Sequence, residues 1–154
     1  MTSRIALLMG SDSDYPRLEA AVKTMRDFGE DPEVRVLSAH RTPKETCDFA
    51  ENARERGIKV VLCAAGGAAH LAGVVAAHTT LPVIGIPMDN PPLGGLDALL
   101  ATAQMPAGVP VACVGVGGGG PVNAALLALR VIATEDEDLA TKLEEFRGSQ
   151  RERV

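Results

Sequence analysis

The chain has 154 residues, of which 46% are hydrophobic, 23% charged and 3% aromatic, and its net charge is −5. That length suits one domain, spanning 1–154, with volume for a full core, and with no Trp and one Tyr the core must be built from Ala, Val, Leu and Ile. No basic stripe with interleaved aromatics is present and no apolar run approaches the roughly 18 residues of a membrane span, which argues against nucleic acid and membrane as partners.

Met1-Thr2-Ser3-Arg4 leads straight into a first apolar run, Ile5 to Met9. The run is too short for a signal-peptide core, so the expected location is cytoplasmic. Its continuous apolar character fits a strand buried on both faces. Gly10-Ser11-Asp12-Ser13-Asp14 follows, then Leu18, Ala21, Val22, Met25 and Phe28 at helical spacing, with Gly29 as the stop and Asp14 as a candidate N-cap. Val34 to Leu37 reads as a second strand. Ser38-Ala39-His40-Arg41-Thr42-Pro43 then opens a helix that ends at Gly57; Thr42 and Glu45 have capping-box spacing, and Pro43 falls at the first helical position.

Val60 to Ala64 is a third strand, leading through Ala65-Gly66-Gly67-Ala68-Ala69-His70 into a small-residue helix. Val83 to Ile86 is a fourth, Leu96 to Ala103 a short helix, and Val111 to Val116 a fifth strand. Gly117 to Pro121 precedes a helix reaching about Thr134, where Thr134 and Glu137 repeat the capping-box spacing. The expected core therefore spans about 4–134. A last helix, about 135–147, and a polar tail from Gly148 complete the chain. This alternation is the βαβ rhythm of an open, five-stranded parallel sheet with helices on both faces, an α/β fold.

Such sheets bind ligands at the carboxyl ends of their strands. There the chain places Gly10–Asp14, Ser38–Pro43, Ala65–His70, Pro87–Leu93 and Gly117–Pro121, and every chemically suggestive residue falls on that edge. Backbone N–H groups with the Ser11 and Ser13 hydroxyls at a helix start form a phosphate cradle in the general sense. The stretch matches neither the Walker pattern nor Gly-x-Gly-x-x-Gly, which disfavours a dinucleotide. Asp14 suits a sugar hydroxyl. Arg41 suits a phosphate or carboxylate, and His40 suits acid–base work near neutral pH. Gly66-Gly67 permits close backbone approach. His70 reads equally as a second polar contact or as a core histidine satisfied by backbone, and Gly117–Gly120 as an anion cradle or a flexible lid. Asp89 and Asp97 are loop candidates with weak claims, and His78 reads as structural. Cys47, Cys63 and Cys113 have no Cys-x-x-Cys pair and no metal-ligand spacing with the histidines; they read as structural, Cys63 and Cys113 as small core residues.

The combination resembles the PurE family of purine biosynthesis, the N5-carboxyaminoimidazole ribonucleotide mutases. The resemblance rests on Met9–Asp14, Ser38–Pro43, Ala65–Leu71, Leu81–Gly85, Gly95–Asp97, Gln104–Pro106 and Asn123–Ala128, in family order across nearly the whole chain. It implies a three-layer α/β/α fold of flavodoxin or Rossmann type and a homo-octamer. It also implies a ribonucleotide substrate, no organic cofactor or metal, and a partner enzyme that makes the carbamate with ATP. By resemblance His40 is the proton-shuttling histidine. Ser11, Asp14 and Arg41 match substrate-binding positions, Ser13 and Ser38 assist, and Gly67 and His70 belong to the glycine-rich site loop.

Arg41 and Gly67-Ala68-Ala69-His70 resemble the mutase type. A second type in the family carboxylates aminoimidazole ribonucleotide with free CO2, and typically has Lys in the first segment and Arg-Ser-Asn in the second. Ala72, Met88–Pro92 and Gly118–Pro121 depart from the family pattern. A non-catalytic nucleotide-binding module is the competing class; it would need Arg41 and the cradle but no His40.

Overall fold

The computed structural model describes residues 2–153; Met1 and Val154, the ends of the expected domain, lie outside the described residues. Five strands, β1 (Ile5–Met9), β2 (Glu33–Val36), β3 (Val60–Ala65), β4 (Val83–Pro87) and β5 (Ala112–Cys113), form one parallel sheet in the order β2-β1-β3-β4-β5. Six helices surround it: α1 (Tyr15–Asp27), α2 (Pro43–Asn52), α3 (Leu71–His78), α4 (Leu96–Ala103), α5 (Gly119–Ala133) and α6 (Glu137–Arg151). The architecture is the expected three-layer α/β/α arrangement, with the strand order of flavodoxin-like folds.

Strand periodicity divides the core in two. Ile5, Leu7 and Met9 point to one side, with Leu62, Ile84, Leu18, Met25, Ala125 and Leu129 from the sheet, α1 and α5. Ala6 and Leu8 point to the other, with Val61, Cys63, Phe49, Leu71 and Val75 from the sheet, α2 and α3. All of β1 and β4 is buried, which is why both read as unbroken apolar runs. Ala21 of α1 and Ala124, Ala125 and Ala128 of α5, all fully buried on one side of the sheet, let helices pack closely. Gly85 does the same for α4, because a Cβ there would sit 2.1 Å from Thr102 Cγ2.

Helix ends follow local chemistry, in several places unlike the sequence expectation: α2, expected to reach Gly57, stops at Asn52, and residues 53–57 form turns. Gly29, at φ +94°, ends α1 with bonds from Gly29 N to Arg26 O and from Glu30 N to Met25 O, the paired pattern of a Schellman turn. Asp136, not Thr134, caps α6, accepting from Leu139 N at 3.0 Å. Thr134 Oγ1 instead donates to Val131 O, back into the helix it leaves. The last helix also continues through Gly148 to Arg151, beyond the expected tail boundary.

The fifth strand is shorter than the expected Val111–Val116. Only Ala112 and Cys113 pair, opposite Ile84 and Gly85. Pro110 has no N–H to give the ladder, and the chain turns away through Gly115 to Gly117, the last at φ +96°. Gly120 packs so closely on the departing strand that a Cβ would lie 2.1 Å from Gly115 O. Cys113, read as a small core residue, is accordingly only half-buried, whereas Cys63 is buried.

Candidate active site

The chain leaves β1 toward β2 on one side and later returns to β3 on the other. This reversal opens a crevice past the carboxyl ends of β1 and β3. A cavity of about 360 Å³ occupies it, lined by residues from Gly10 to Asp14, Ser38 to Arg41 and Ala65 to Leu71, with Asn90.

The turn after β2 is built by its own side chains. Ser38 Oγ accepts from Arg41 N at 3.1 Å and from His40 N at 3.4 Å. Thr42 Oγ1 accepts from Ser38 N at 2.9 Å and donates to Ser38 O at 3.1 Å. Buried Thr46 donates to Thr42 O at 2.8 Å. The predicted capping box is therefore not made: Thr42 stands at the N-cap position of α2 with its hydroxyl turned back to Ser38. A turn saturated by Ser and Thr leaves His40 and Arg41, the two exposed residues between them, to face the crevice.

His40 Nε2 lies 2.7 Å from His70 Nδ1, the rings nearly perpendicular at 85°. One of these nitrogens carries the hydrogen and the other accepts it, so a proton can pass between the rings. His70 is exposed, which sets aside its reading as a core histidine. Arg41 Nη2 donates to Gly10 O at 2.7 Å, anchoring the guanidinium across the mouth of β1. Among the described residues no carboxylate pairs with Arg41, so its remaining donors are left for an anion.

On the β1 side, Ser11 Oγ accepts from Ser13 N at 3.3 Å and lies 2.8 Å from Ser13 Oγ, starting a short 3-10 turn, Asp12–Asp14. Asp14 closes that turn and stands at the N-cap of α1, but its carboxylate makes no cap bond. Instead Asp14 Oδ1 accepts from Arg17 Nη2 at 2.8 Å, inside a nearly buried pocket. Burial pushes the Asp14 carboxyl up from its ordinary value, and the Arg17 charge pulls the other way without cancelling it.

Arg17 was not legible as a site residue in the sequence. It also donates to Asp89 Oδ1 at 2.8 Å and to Asn90 Oδ1 at 2.9 Å, tying α1 to the loop after β4. Its i, i+3 spacing from Asp14 is the one local signal that could have found it. Asn90, also missed, presses on Gly66, where a Cβ would sit 2.1 Å from Asn90 Nδ2. The close approach expected at Gly66 is thus made by the protein's own side chain.

Ser11, Ser13, Asp14, Ser38, His40, Arg41 and His70 all line the one cavity. Gly67 does not line it; at φ +60° it shapes the turn that carries His70. Gly117 and Gly118 line a separate cavity of about 150 Å³ beside Arg17 and Asp89. Asp97 bonds its own helix start at Ala98 N.

A family pattern described as AIR carboxylase matches residues 4–153. The chain belongs to the AIR carboxylase family. It is 48% identical over 154 residues to the N5-carboxyaminoimidazole ribonucleotide mutase of Bacillus subtilis (strain 168), covering 100% of this chain and 95% of that protein. It is 50% identical over 143 residues to the protein of the same name from Mycobacterium tuberculosis (strain CDC 1551 / Oshkosh), covering 93% and 81%. The crystal structure of Treponema denticola PurE2-S38D matches with a TM-score of 0.89 at 26% identity, covering 99% of this chain and 94% of that one. The family pattern thus carries a carboxylase description, whereas the curated relatives reported above are named mutases.

Proposed function

We propose that this chain is an isomerase of de novo purine biosynthesis that converts N5-carboxyaminoimidazole ribonucleotide to 4-carboxy-5-aminoimidazole ribonucleotide. The single observation that carries the chemistry is the His40–His70 pair, at 2.7 Å, over a cradle whose cation is not neutralised from within. The name borne by relatives 48% and 50% identical supports the substrate.

The reaction breaks an N–C bond and makes a C–C bond. His40 donates a proton to the exocyclic nitrogen as the carbamate loses CO2, and the freed aminoimidazole attacks that CO2 through its ring carbon. The carbon then surrenders its proton to His40. One histidine therefore begins and ends each turnover in the same protonation state, with His70 positioned to hold or return the proton. Arg41, with the Ser11 and Ser13 hydroxyls and the backbone around Gly10, binds the phosphate. Asp14, aimed by Arg17, accepts from a ribose hydroxyl. Ser38 holds the turn, and Gly67 sets the loop. Anchoring at the phosphate supplies positioning energy at the reacting end, and the Ala39, Ala65 and Ala68 lining suits CO2.

The reading extends to a cytoplasmic homo-octamer fed by an ATP-dependent enzyme that makes the carbamate. Exposed Leu93, Leu96 and Leu100, on one stripe of α4 and the loop before it, support a subunit contact. No described helix is long and apolar enough to cross a membrane.

The second reading, carboxylation of aminoimidazole ribonucleotide by free CO2, is favoured by the description of the family pattern. Turnover separates the two. Fast conversion of the carbamate ribonucleotide at low bicarbonate, with little activity on aminoimidazole ribonucleotide at high bicarbonate, is the expected result. Activity with free CO2 alone would establish the carboxylase, and activity on neither would return the chain to the binding-module class.

A further inference from the structure

Away from the crevice, α2 and α3 hold a second set of chemically matched groups. Cys47 and Glu51 lie four residues apart on one face of α2, and His78 is the last residue of α3. Cys47 Sγ is 3.3 Å from His78 Nε2, and His78 Nδ1 is 2.9 Å from Glu51 Oε1. His70 precedes the first turn of α3 and His78 closes the last, so about 12 Å of helix separates this cluster from the catalytic pair.

The order of the bonds fixes the proton. A carboxylate can only accept, so Glu51 holds the hydrogen of His78 on Nδ1. Nε2 is then the unprotonated nitrogen, and it faces the thiol. Nucleophile, base and orienting carboxylate stand in the sequence that activated cysteines require. The cluster is reachable: the His78 and Glu51 side chains are 37% and 56% exposed, and Cys47 is half-buried. A cavity of about 510 Å³ opens beside it, lined by Glu51, Arg54, His78 and Thr80 among others. Of the neighbouring charges, Lys44 pairs with Asp48 at 2.6 Å, Arg54 donates to Thr80 Oγ1 at 2.9 Å, and Glu55 lines the same cavity.

The other two cysteines lack this arrangement. Burial pushes the Cys63 and Cys113 thiols up from their ordinary value, and Cys113 Sγ donates to the Val114 carbonyl at 3.5 Å.

We propose that Cys47, His78 and Glu51 form a thiol-exchange site that accepts small-molecule disulfides and becomes S-thiolated. His78 Nε2 takes the thiol proton as Cys47 Sγ attacks one sulfur of the disulfide. A new S–S bond forms to Cys47, the old S–S bond breaks, and its electron pair leaves on the departing thiolate. That thiolate recovers the proton from His78. The disulfide is the oxidant: one disulfide is consumed, and one mixed disulfide and one free thiol result.

The test treats the full chain with oxidised glutathione at pH 7 and follows modification by intact mass and peptide mapping. Cys47 is expected to be modified first, about tenfold or more faster than Cys113. His78→Ala and His78→Asn are each expected to slow Cys47 by about tenfold or more, with Cys113 unchanged as the internal control. Glu51→Gln is expected to slow it less, and circular dichroism checks that each variant is folded. Modification reaching Cys113 first, no modification at Cys47, or a Cys47 rate unaltered in both His78 variants would each overturn the proposal.

Discussion

The two ends of the sheet both carry an arginine beside a cavity, and they treat it in opposite ways. At the amino end Arg4 is held by Glu30 and lies 2.8 Å from Asp136, next to a cavity of about 1070 Å³. Glu30 pulls the Arg4 guanidinium further up from its ordinary value, so that charge is spent inside the fold. At the carboxyl end the Arg41 guanidinium reaches, among the described residues, only the Gly10 carbonyl, and the cavity beside it measures about 360 Å³. The arginine of the larger hollow is thus satisfied by carboxylates, whereas that of the smaller one keeps donors without a carboxylate partner among the described residues. What marks the site is charge and proton capacity left uncompensated at a topological switch point, and volume is a poor guide to it.

Substitutions at the two ends should therefore fail differently. The largest effect is expected at His40: His40→Asn should lower turnover by about 10²- to 10⁴-fold while binding of the product ribonucleotide, measured by calorimetry, persists. Turnover close to wild type would remove His40 from proton transfer. Arg41→Ala should raise KM about 10- to 100-fold through the lost charged hydrogen bonds to phosphate, and should lower kcat as well because that anchor positions the reacting end. An unaltered KM would break the assignment of Arg41 to the phosphate.

Arg4→Ala probes the other end. It should cost no more than about 1 kcal/mol in urea denaturation, since Arg4 is partly exposed, and leave kcat/KM unchanged. Loss of activity without loss of stability would contradict the division between the two ends. The smallest effect is a pH slope at Asp14. Burial raises its folded carboxyl above the ordinary 3.8, so between those two values the folded chain holds the proton more firmly than the unfolded chain does. The Asp14 contribution should therefore fall as pH rises through that window, so the stability of the wild type relative to Asp14→Asn should decline with rising pH. Midpoints of urea unfolding for both proteins across about pH 3.5 to 6 would show it. A difference between the two that stays flat with pH would remove burial as the cause.

The legible parts of the fold were those fixed by residues near in sequence. Ile5–Met9 is a strand at the limits read from its apolar run, and Leu96–Ala103 is a helix at the limits read from its pattern. The fifth strand was not, because pairing needs a neighbour: β4 offers partners only at Ile84 and Gly85, and the glycines beyond Cys113 bend the chain off the edge. Capping failed for a related reason. Thr42 and Thr134 have the right spacing, but a hydroxyl bonds whichever backbone group lies nearest. Ser38 and Val131 won those contests.

The site divides along the same line. His40, Arg41 and the serines could be read from their place at strand ends. Arg17 could not, since two of its three partners, Asp89 and Asn90, lie more than 70 residues away and meet it only once the sheet has formed. The Cys47–His78–Glu51 cluster was hidden in the same manner, by the packing of α2 on α3.

The central claim is that one edge of the sheet releases the carboxyl group and recaptures it without yielding it to solvent. It is tested most directly by turning over ribonucleotide labelled with ¹³C at the carbamate carbon in unlabelled bicarbonate, and reading the isotope in the product by mass spectrometry. Retention of the label in the 4-carboxy product is the predicted result. Product carrying the unlabelled carbon of the surrounding bicarbonate would contradict it.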